Sequence, residues 1–260
     1  MNGEISSMAT NWLLVKGLPA SRVIRADIGD DLGAQGYLKY QLFGQDLYIT
    51  TTHISLFIVC LTLIIFAVVA NRAVKKADPY EKPGMFVNVL EMLVQSLDDL
   101  VISNMGKKHG PRFANYIGTL ACFILLSNVS GLLGLRSPTA DYGVTLPLAL
   151  ITFIMIQYNG FKYQKLGKVK GWFEPIFFFF PINIIGDLAT PISMSLRLFG
   201  NILSGTIMLG LLYGLVPWVA TLVWPAALHA YLDLFSGAIQ TFVFCMLTMV
   251  FVTDAIGEEE

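Results

Sequence analysis

The amino-acid sequence predicts an all-α integral membrane protein with about five membrane crossings and one amphipathic helix. Hydrophobic side chains make up 55% of its 260 residues and charged side chains only 13%, outside the usual range of soluble domains. The apolar residues also form runs of the length needed to cross hydrocarbon, about 17–25 residues. Basic loops separate these runs in a way that gives each crossing a direction.

The first apolar run, residues 54–70, is long enough for one crossing and is followed by a basic cluster. Residues 83–105 differ from it, because their apolar positions recur at helical spacing while Glu91, Asp98 and Asp99 lie between them. This pattern predicts an amphipathic helix that lies on the membrane surface or faces a partner, rather than a crossing.

Residues 113–135 and 142–161 predict the second and third crossings, which the short turn between them makes an antiparallel hairpin. A second basic loop follows, over residues 162–170. Two crossings separate the basic loops, so both fall on the cytoplasmic side under the positive-inside rule. The N-terminus is then expected outside and the C-terminus in the cytoplasm.

The last two apolar segments are longer than a membrane requires. Residues 181–216 would form a helix of about 50 Å and residues 225–254 one of about 45 Å, against a hydrocarbon thickness of about 30 Å. Two consecutive overlong helices predict a long, steeply tilted hairpin.

Two parts of the chain are expected: an extracytoplasmic N-terminal segment, residues 1–50, and a membrane-embedded helical domain, residues 51–260. The N-terminus has no basic region and only a very short apolar stretch, so it does not predict a cleavable signal peptide. The net charge of −1 argues against a nucleic-acid partner. The lipid bilayer is the expected surrounding.

Arg197 lies in the middle of an apolar run, and no Lys or Arg follows it. A charge inside the membrane costs at least about 2.5–3.5 kcal/mol, so Arg197 is expected to face a cavity or a partner carboxylate. The alternative is an arginine that reaches an interface or is paired for packing. Small and polar side chains recur on its helix at helical spacing: Thr190, Ser193, Gly200, Asn201, Ser204 and Gly205.

The final helix carries a second polar stripe, with His229, Asp233, Ser236 and Gln240 at helical spacing. A carboxylate at Asp233 with a histidine one turn away suits a proton or cation relay, although His229 also fits an interfacial residue beside Trp224. Earlier in the chain, Asp187 fits either an ion exit or a helix-terminal cap.

The stretch SLRLFGN, with PINIIGDLATPIS before it and QTFVFCMLTMVF after it, resembles subunit a of F-type ATP synthases. The resemblance covers roughly residues 80–256. It implies that Arg197 faces the ring of c subunits, that Asn201 is its polar neighbour, and that Gln240 is the glutamine of the last helix. Asp233 matches a polar, often ionisable position of the family. Thr206 departs from the family, in which many members carry Glu or His there.

The resemblance implies an ion-translocating stator with two aqueous half-channels, whose arginine drives ion exchange on the carboxylates of the c-ring. The implied partners are the c-ring, subunit b of the peripheral stalk and a translocated H+ or Na+, in the inner (plasma) membrane of the cell. No GxxxxGK[ST] loop is present, so the chain is expected to be a non-catalytic subunit without a cofactor.

Two other functions use the same residues. A self-contained ion channel or secondary transporter would need the same buried charges. An intramembrane hydrolase would place His229 and Asp233 around a metal or a nucleophile, but the three histidines of the chain form no recognisable ligand motif.

Overall fold

The all-α membrane class is confirmed by a computed structural model. It describes residues 36–42, 45–77, 84–133, 135–173, 177–215, 228 and 230–257. Five of the helices in this part of the chain are long and apolar enough to cross a membrane, the number that the sequence predicts.

A β-hairpin, which sequence analysis missed, precedes the helices. Strand β1, Gly36–Leu42, pairs antiparallel with strand β2, Gln45–Thr50. A two-stranded ribbon is marginal on its own in water, but this one leads directly into helix α1. Thr50 and His53 cap that helix, with Thr50 Oγ1 2.7 Å from His53 Nδ1.

Helix α1 spans Thr51–Lys76 and contains the predicted first crossing. Its buried residues are confined to its first part: Thr52, Ser55 and Val59. Most apolar side chains of the remainder are exposed, so α1 lies at the outside of the bundle.

Helix α2 spans Met85–Val129 and is broken at Gly106, whose φ of 75° is a left-handed conformation that favours glycine. The break separates the predicted amphipathic helix, the arm 85–105, from the predicted crossing, the arm 107–129. The arms fold back on each other, because a Cβ on Gly118 would lie 3.4 Å from Leu97 Cδ1. In a straight helix these residues would be about 30 Å apart.

Helix α3 spans Tyr142–Gln164, and Asp141 caps its start by accepting a hydrogen bond of 2.9 Å from the Gly143 amide. The predicted antiparallel arrangement of the second and third crossings is confirmed by two hydrogen bonds between α2 and α3. Arg112 bonds Tyr163 and Tyr116 bonds Thr152, so the residue numbers rise along one helix as they fall along the other. Part of the predicted basic loop is helical and forms α4, Leu166–Phe173.

Helix α5 spans Phe180–Leu215 as one helix of 36 residues, which confirms the predicted overlong segment. At about 1.5 Å per residue it is about 54 Å long. The last segment begins as a π-helix, Ala230–Ser236, and continues as helix α6, Gly237–Ile256. The first residues of the predicted segment, 225–227, lie outside the described residues.

The core lies between both arms of α2 and helices α3, α5 and α6. Its most buried apolar side chains come from all four: Ile117, Ile124, Ala149, Leu198 and Met249. This packing fixes the positions of α5 and α6, the two helices that carry the candidate site.

A buried polar network holds the start of α6. Asn128 Nδ2 donates to the carbonyl oxygen of Gly237 at 3.2 Å, and Thr139 Oγ1 donates to Asn128 Oδ1 at 2.7 Å. The hydroxyl of Ser137 lies 2.7 Å from that of Thr139 and also donates to the Ser127 carbonyl. These bonds satisfy both polar atoms of the Asn128 amide, which is buried.

Gly237→Ala is expected to destabilise the protein by about 1–3 kcal/mol, because the new methyl group would overpack the core. A Cβ at Gly237 would lie 2.8 Å from Asn128 Cβ, a contact that requires α2 and α6 to separate. The matched control is Gly186→Ala, where a Cβ meets no atom within 4 Å. Thermal unfolding of the two variants measures the difference, and equal midpoints would contradict the close packing of α2 and α6.

Candidate functional site

Helix α5 presents two different faces. Met194, Ser195 and Leu198 are buried in the bundle, whereas Arg197 is exposed on the surface of the chain. A Cβ built on Gly200, next to Arg197 on the predicted polar stripe, meets no atom within 4 Å. The stripe is therefore open at Gly200 in the described part of the chain, and a small residue there allows another helix to approach closely.

The guanidinium of Arg197 has no hydrogen-bond or ion-pair partner among the described residues. A guanidinium stays protonated under all physiological conditions, and its charge is costly within a membrane unless an acid or water compensates it. The described side chains do not provide that acid. The geometry therefore suits a carboxylate supplied from outside the described residues.

Asn201, one turn after Arg197, joins α5 to the π-helix. Its Nδ2 donates to Ser236 Oγ at 3.0 Å, and Ser236 Oγ donates back to Asn201 Oδ1 at 3.2 Å. The reciprocal pair gives both polar atoms of the amide a partner. The sequence predicts the two polar stripes, and this pair is a direct hydrogen-bonded contact between them.

The last two helices run antiparallel, and their register follows from two contacts. Asn201 meets Ser236, and a Cβ on Gly205 would lie 4.0 Å from Leu232 Cδ1. One turn forward on α5 thus corresponds to one turn backward on the final helix. Continued in the other direction, this register places Arg197 at the level of Gln240.

Gln240 is nine-tenths buried, with 7% of its surface exposed. Its Nε2 is buried and finds no acceptor among the residues that the structure describes. An unsatisfied buried amide costs about 1–3 kcal/mol, so this donor is available to a group or a water molecule that enters between the helices. Gln240 and Arg197 thus form one level of the site.

Asp233 belongs to the π-helix, but the structure describes only its backbone and not its side chain. His229 lies outside the described residues. The α-helical spacing by which Asp233 was aligned with Gln240 does not hold over Ala230–Ser236. A π-helix bonds each residue to the fifth rather than the fourth along the chain, which changes the faces that its side chains occupy. Such segments occur frequently at functional sites.

Asp187 is held at a junction of three helices. Its Oδ2 accepts a 3.0 Å hydrogen bond from Trp172 Nε1 and a 3.4 Å bond from Gln157 Nε2, and it lies 3.5 Å from Lys168 Nζ. The helix-cap alternative is wrong, because α5 begins at Phe180, about two turns earlier. Sequence reasoning missed all three partners of this carboxylate.

Thr206 takes no part in these contacts. Its hydroxyl donates to the Ile202 carbonyl of its own helix at 2.9 Å, and its side chain is exposed. Such a bond within a helix satisfies the hydroxyl locally and leaves no titratable group at this position.

The register can be tested by disulfide formation. The double variant Asn201→Cys, Ser236→Cys is expected to form a disulfide rapidly under mild oxidation. The reason is that the native side chains lie within hydrogen-bond distance of each other. The control pair combines Asn201→Cys with Gln240→Cys, one turn away. Both pairs are placed on a background without Cys60, Cys122 and Cys245, and gel mobility measures the rates. Faster closure of the control pair would contradict the register.

Comparison with known proteins identifies the family. The model of the family "ATP synthase A chain" matches residues 53–253. The chain is 39% identical over 232 residues to "ATP synthase subunit a, sodium ion specific" of Propionigenium modestum, covering 82% of this chain and 76% of that protein. It is 36% identical over 192 residues to "ATP synthase subunit a" of Priestia megaterium, covering 68% and 81%. The chain belongs to the ATP synthase A chain family, the subunit a family that the RLFGN stretch resembles.

Proposed function

We propose that this chain is the ion-translocating stator subunit of an F-type ATP synthase, and that Arg197 acts on the carboxylates of a rotating c-ring. The observation that carries the proposal is the exposed Arg197 on an open, small-residue face at the level of the buried Gln240. A rotor helix that bears an acid would supply the charge that the described residues do not.

The electrostatics of this arrangement give the mechanism. A rotor carboxylate that faces lipid is neutral or binds a cation, because desolvation disfavours its charged form. When the carboxylate meets Arg197, the opposite charge favours ionisation, and the cation leaves. The arginine also separates the two aqueous half-channels, since a fixed positive charge repels a cation that crosses directly between them.

The outer half-channel is proposed to reach the rotor beside Gln240, with Asp233 and His229 as its ionisable groups. The chain of hydroxyl and amide groups from Ser137 to Asn128 supports this route, because it ends at Gly237, one turn before Gln240. Polar side chains inside a membrane bundle commonly mark ion pathways.

The inner half-channel is proposed to open near Asp187, at the other end of α5. Asp187 is partly exposed while its partner Lys168 is more buried, so an oxygen of the carboxylate remains accessible to water. With the positive-inside rule, both basic loops and this end of α5 face the cytoplasm, and residues 1–50 lie outside.

The translocated cation is proposed to be H+ or Na+. Sodium is supported by the similarity to the relative named as sodium ion specific. ATP synthesis by the reconstituted complex under a fixed membrane potential separates the two ions. A sodium-coupled complex stops when sodium is omitted, whereas a proton-coupled complex continues.

The remaining parts of the proposal concern the complex. The chain does not catalyse ATP formation, and it contacts subunit b of the peripheral stalk as well as the c-ring in the plasma membrane. The rival function, a self-contained channel or secondary transporter, predicts ion flux from the purified chain alone in vesicles. The stator function predicts flux only with the c-ring present.

Arg197→Ala in the assembled complex is expected to abolish ion-driven ATP synthesis and to raise the passive ion leak. The first effect follows because the rotor acids no longer ionise at the stator, and the second because the barrier between the half-channels is lost. Arg72→Ala is the control, since Arg72 is also exposed but lies near the end of α1. Coupled synthesis retained by Arg197→Ala would refute the proposal.

Asp187→Asn and Lys168→Gln separate an ion exit from a structural anchor. Both substitutions break the same 3.5 Å ion pair, but only the first removes the carboxylate. If Asp187 releases ions, Asp187→Asn lowers the rate of ATP synthesis more than Lys168→Gln does. Equal rates in vesicles that contain equal amounts of assembled complex would show that the carboxylate acts only through the pair.

A further inference from the structure

A second charged site lies away from Arg197, where the turn at Gly106 meets the end of α3. Arg112 Nη1, on the second arm of α2, donates a 3.1 Å hydrogen bond to the Tyr163 hydroxyl of α3. The ring of His109 stands edge-on to the Tyr163 ring, with centroids 5.2 Å apart. Two helices therefore hold cationic and aromatic side chains in fixed positions at one end of the bundle.

Lys162 completes this group. Its Nζ lies 5.9 Å from the centroid of the Tyr158 ring and 5.9 Å from that of Tyr163, within the range of cation–π attraction. Such contacts hold the ammonium group at the ring faces while leaving its N–H donors free for an anion. The side chains of Lys162 and Arg112 are both exposed.

The charge of this region is of one sign. Residues 106–112 and 161–165 contain five Lys and Arg residues and no Asp or Glu. In the described part of the chain, Arg112 and Lys162 form no ion pair with a carboxylate. Their positive charge is therefore available to an anion that approaches from outside the bundle.

An exposed apolar stripe on α3 leads directly to these cations. Ile151, Ile154, Tyr158 and Phe161 follow one another at spacings of three and four residues, and all four side chains are exposed. Lys162 lies one turn after Tyr158. A helix face that is apolar along its length and cationic and aromatic at its end matches an acyl chain and a headgroup at the membrane interface.

We propose that Arg112, Lys162 and Tyr163 form a binding site for the phosphate of an anionic phospholipid. The two cations and the phenol hydroxyl hold the headgroup phosphate, and an acyl chain lies along the exposed α3 stripe. The stripe favours a lipid over a free phosphate ion, because only a lipid has an apolar part to cover it. The lipid bridges the turn at Gly106 and the end of α3.

Photolabelling of the assembled complex in phosphatidylcholine vesicles tests this site. One probe is a phosphatidylglycerol with a photoactivatable group near the start of an acyl chain, and the other is the matching phosphatidylcholine. Mass spectrometry of peptides maps the label. We expect the anionic probe to label residues 151–165 at least about fivefold more than the zwitterionic probe, since each basic residue near a membrane strengthens anionic-lipid attraction by about that factor.

Two variants with the same change in charge separate a specific site from general surface charge. Arg112→Gln combined with Lys162→Gln is expected to remove the preference for the anionic probe, whereas Lys75→Gln combined with Lys76→Gln, on α1, leaves it unchanged. Equal losses in both variants would overturn the proposal. If the first variant does not assemble, competition of the wild-type labelling by unlabelled phosphatidylglycerol against phosphatidylcholine gives the same answer.

Three further results on the wild-type complex would overturn the proposal. Equal labelling by the two probes would mean that the headgroup charge is not recognised. Loss of labelling in millimolar inorganic phosphate would assign the cations to a soluble anion. The absence of label from both probes would mean that another subunit covers this face of α3.

Discussion

The reciprocal hydrogen bond between Asn201 and Ser236 is the interaction on which the candidate site depends. Lipid is as apolar as leucine, so the hydrophobic effect does not set the register of two membrane helices; close packing and polar contacts do. The Asn201–Ser236 pair satisfies both polar atoms of the amide and fixes α5 against the last segment. A shift of one turn would break this pair and would move Arg197 away from the level of Gln240.

The last segment is also bound by α2, and this second contact fixes the position of its helix. Asn128 binds the carbonyl of Gly237, the residue that follows Ser236, and the two helices approach so closely there that a methyl group does not fit. Asn201 of α5 thus binds Ser236, and Asn128 of α2 binds Gly237, so two different helices hold neighbouring residues of the last segment. The side chain of Arg197, by contrast, is exposed, where the proposed rotor can reach it.

The sequence predicts the helices well because the length of an apolar run and the sign of its flanking loops reflect the bilayer directly. It also predicts the polar stripe of α5, because small and polar residues recur at helical spacing around Arg197. Hydropathy does not reveal the π-helix around Asp233, because one wide turn leaves the composition unchanged. The three partners of Asp187 were missed because they lie between 15 and 30 residues away in the chain and are brought together only by the packing of α3, α4 and α5. The β-hairpin was missed because its strands are only seven and six residues long, and Gln45–Thr50 does not alternate polar and apolar side chains.

The central claim is that Arg197 meets an acid of another subunit inside the membrane, and a density map of the assembled complex tests it most directly. The account predicts a guanidinium that points toward a carboxylate-bearing helix of the rotor, at the level of Gln240 in the last helix. A guanidinium that points into bulk solvent or acyl chains, with no acidic helix opposite, would contradict it.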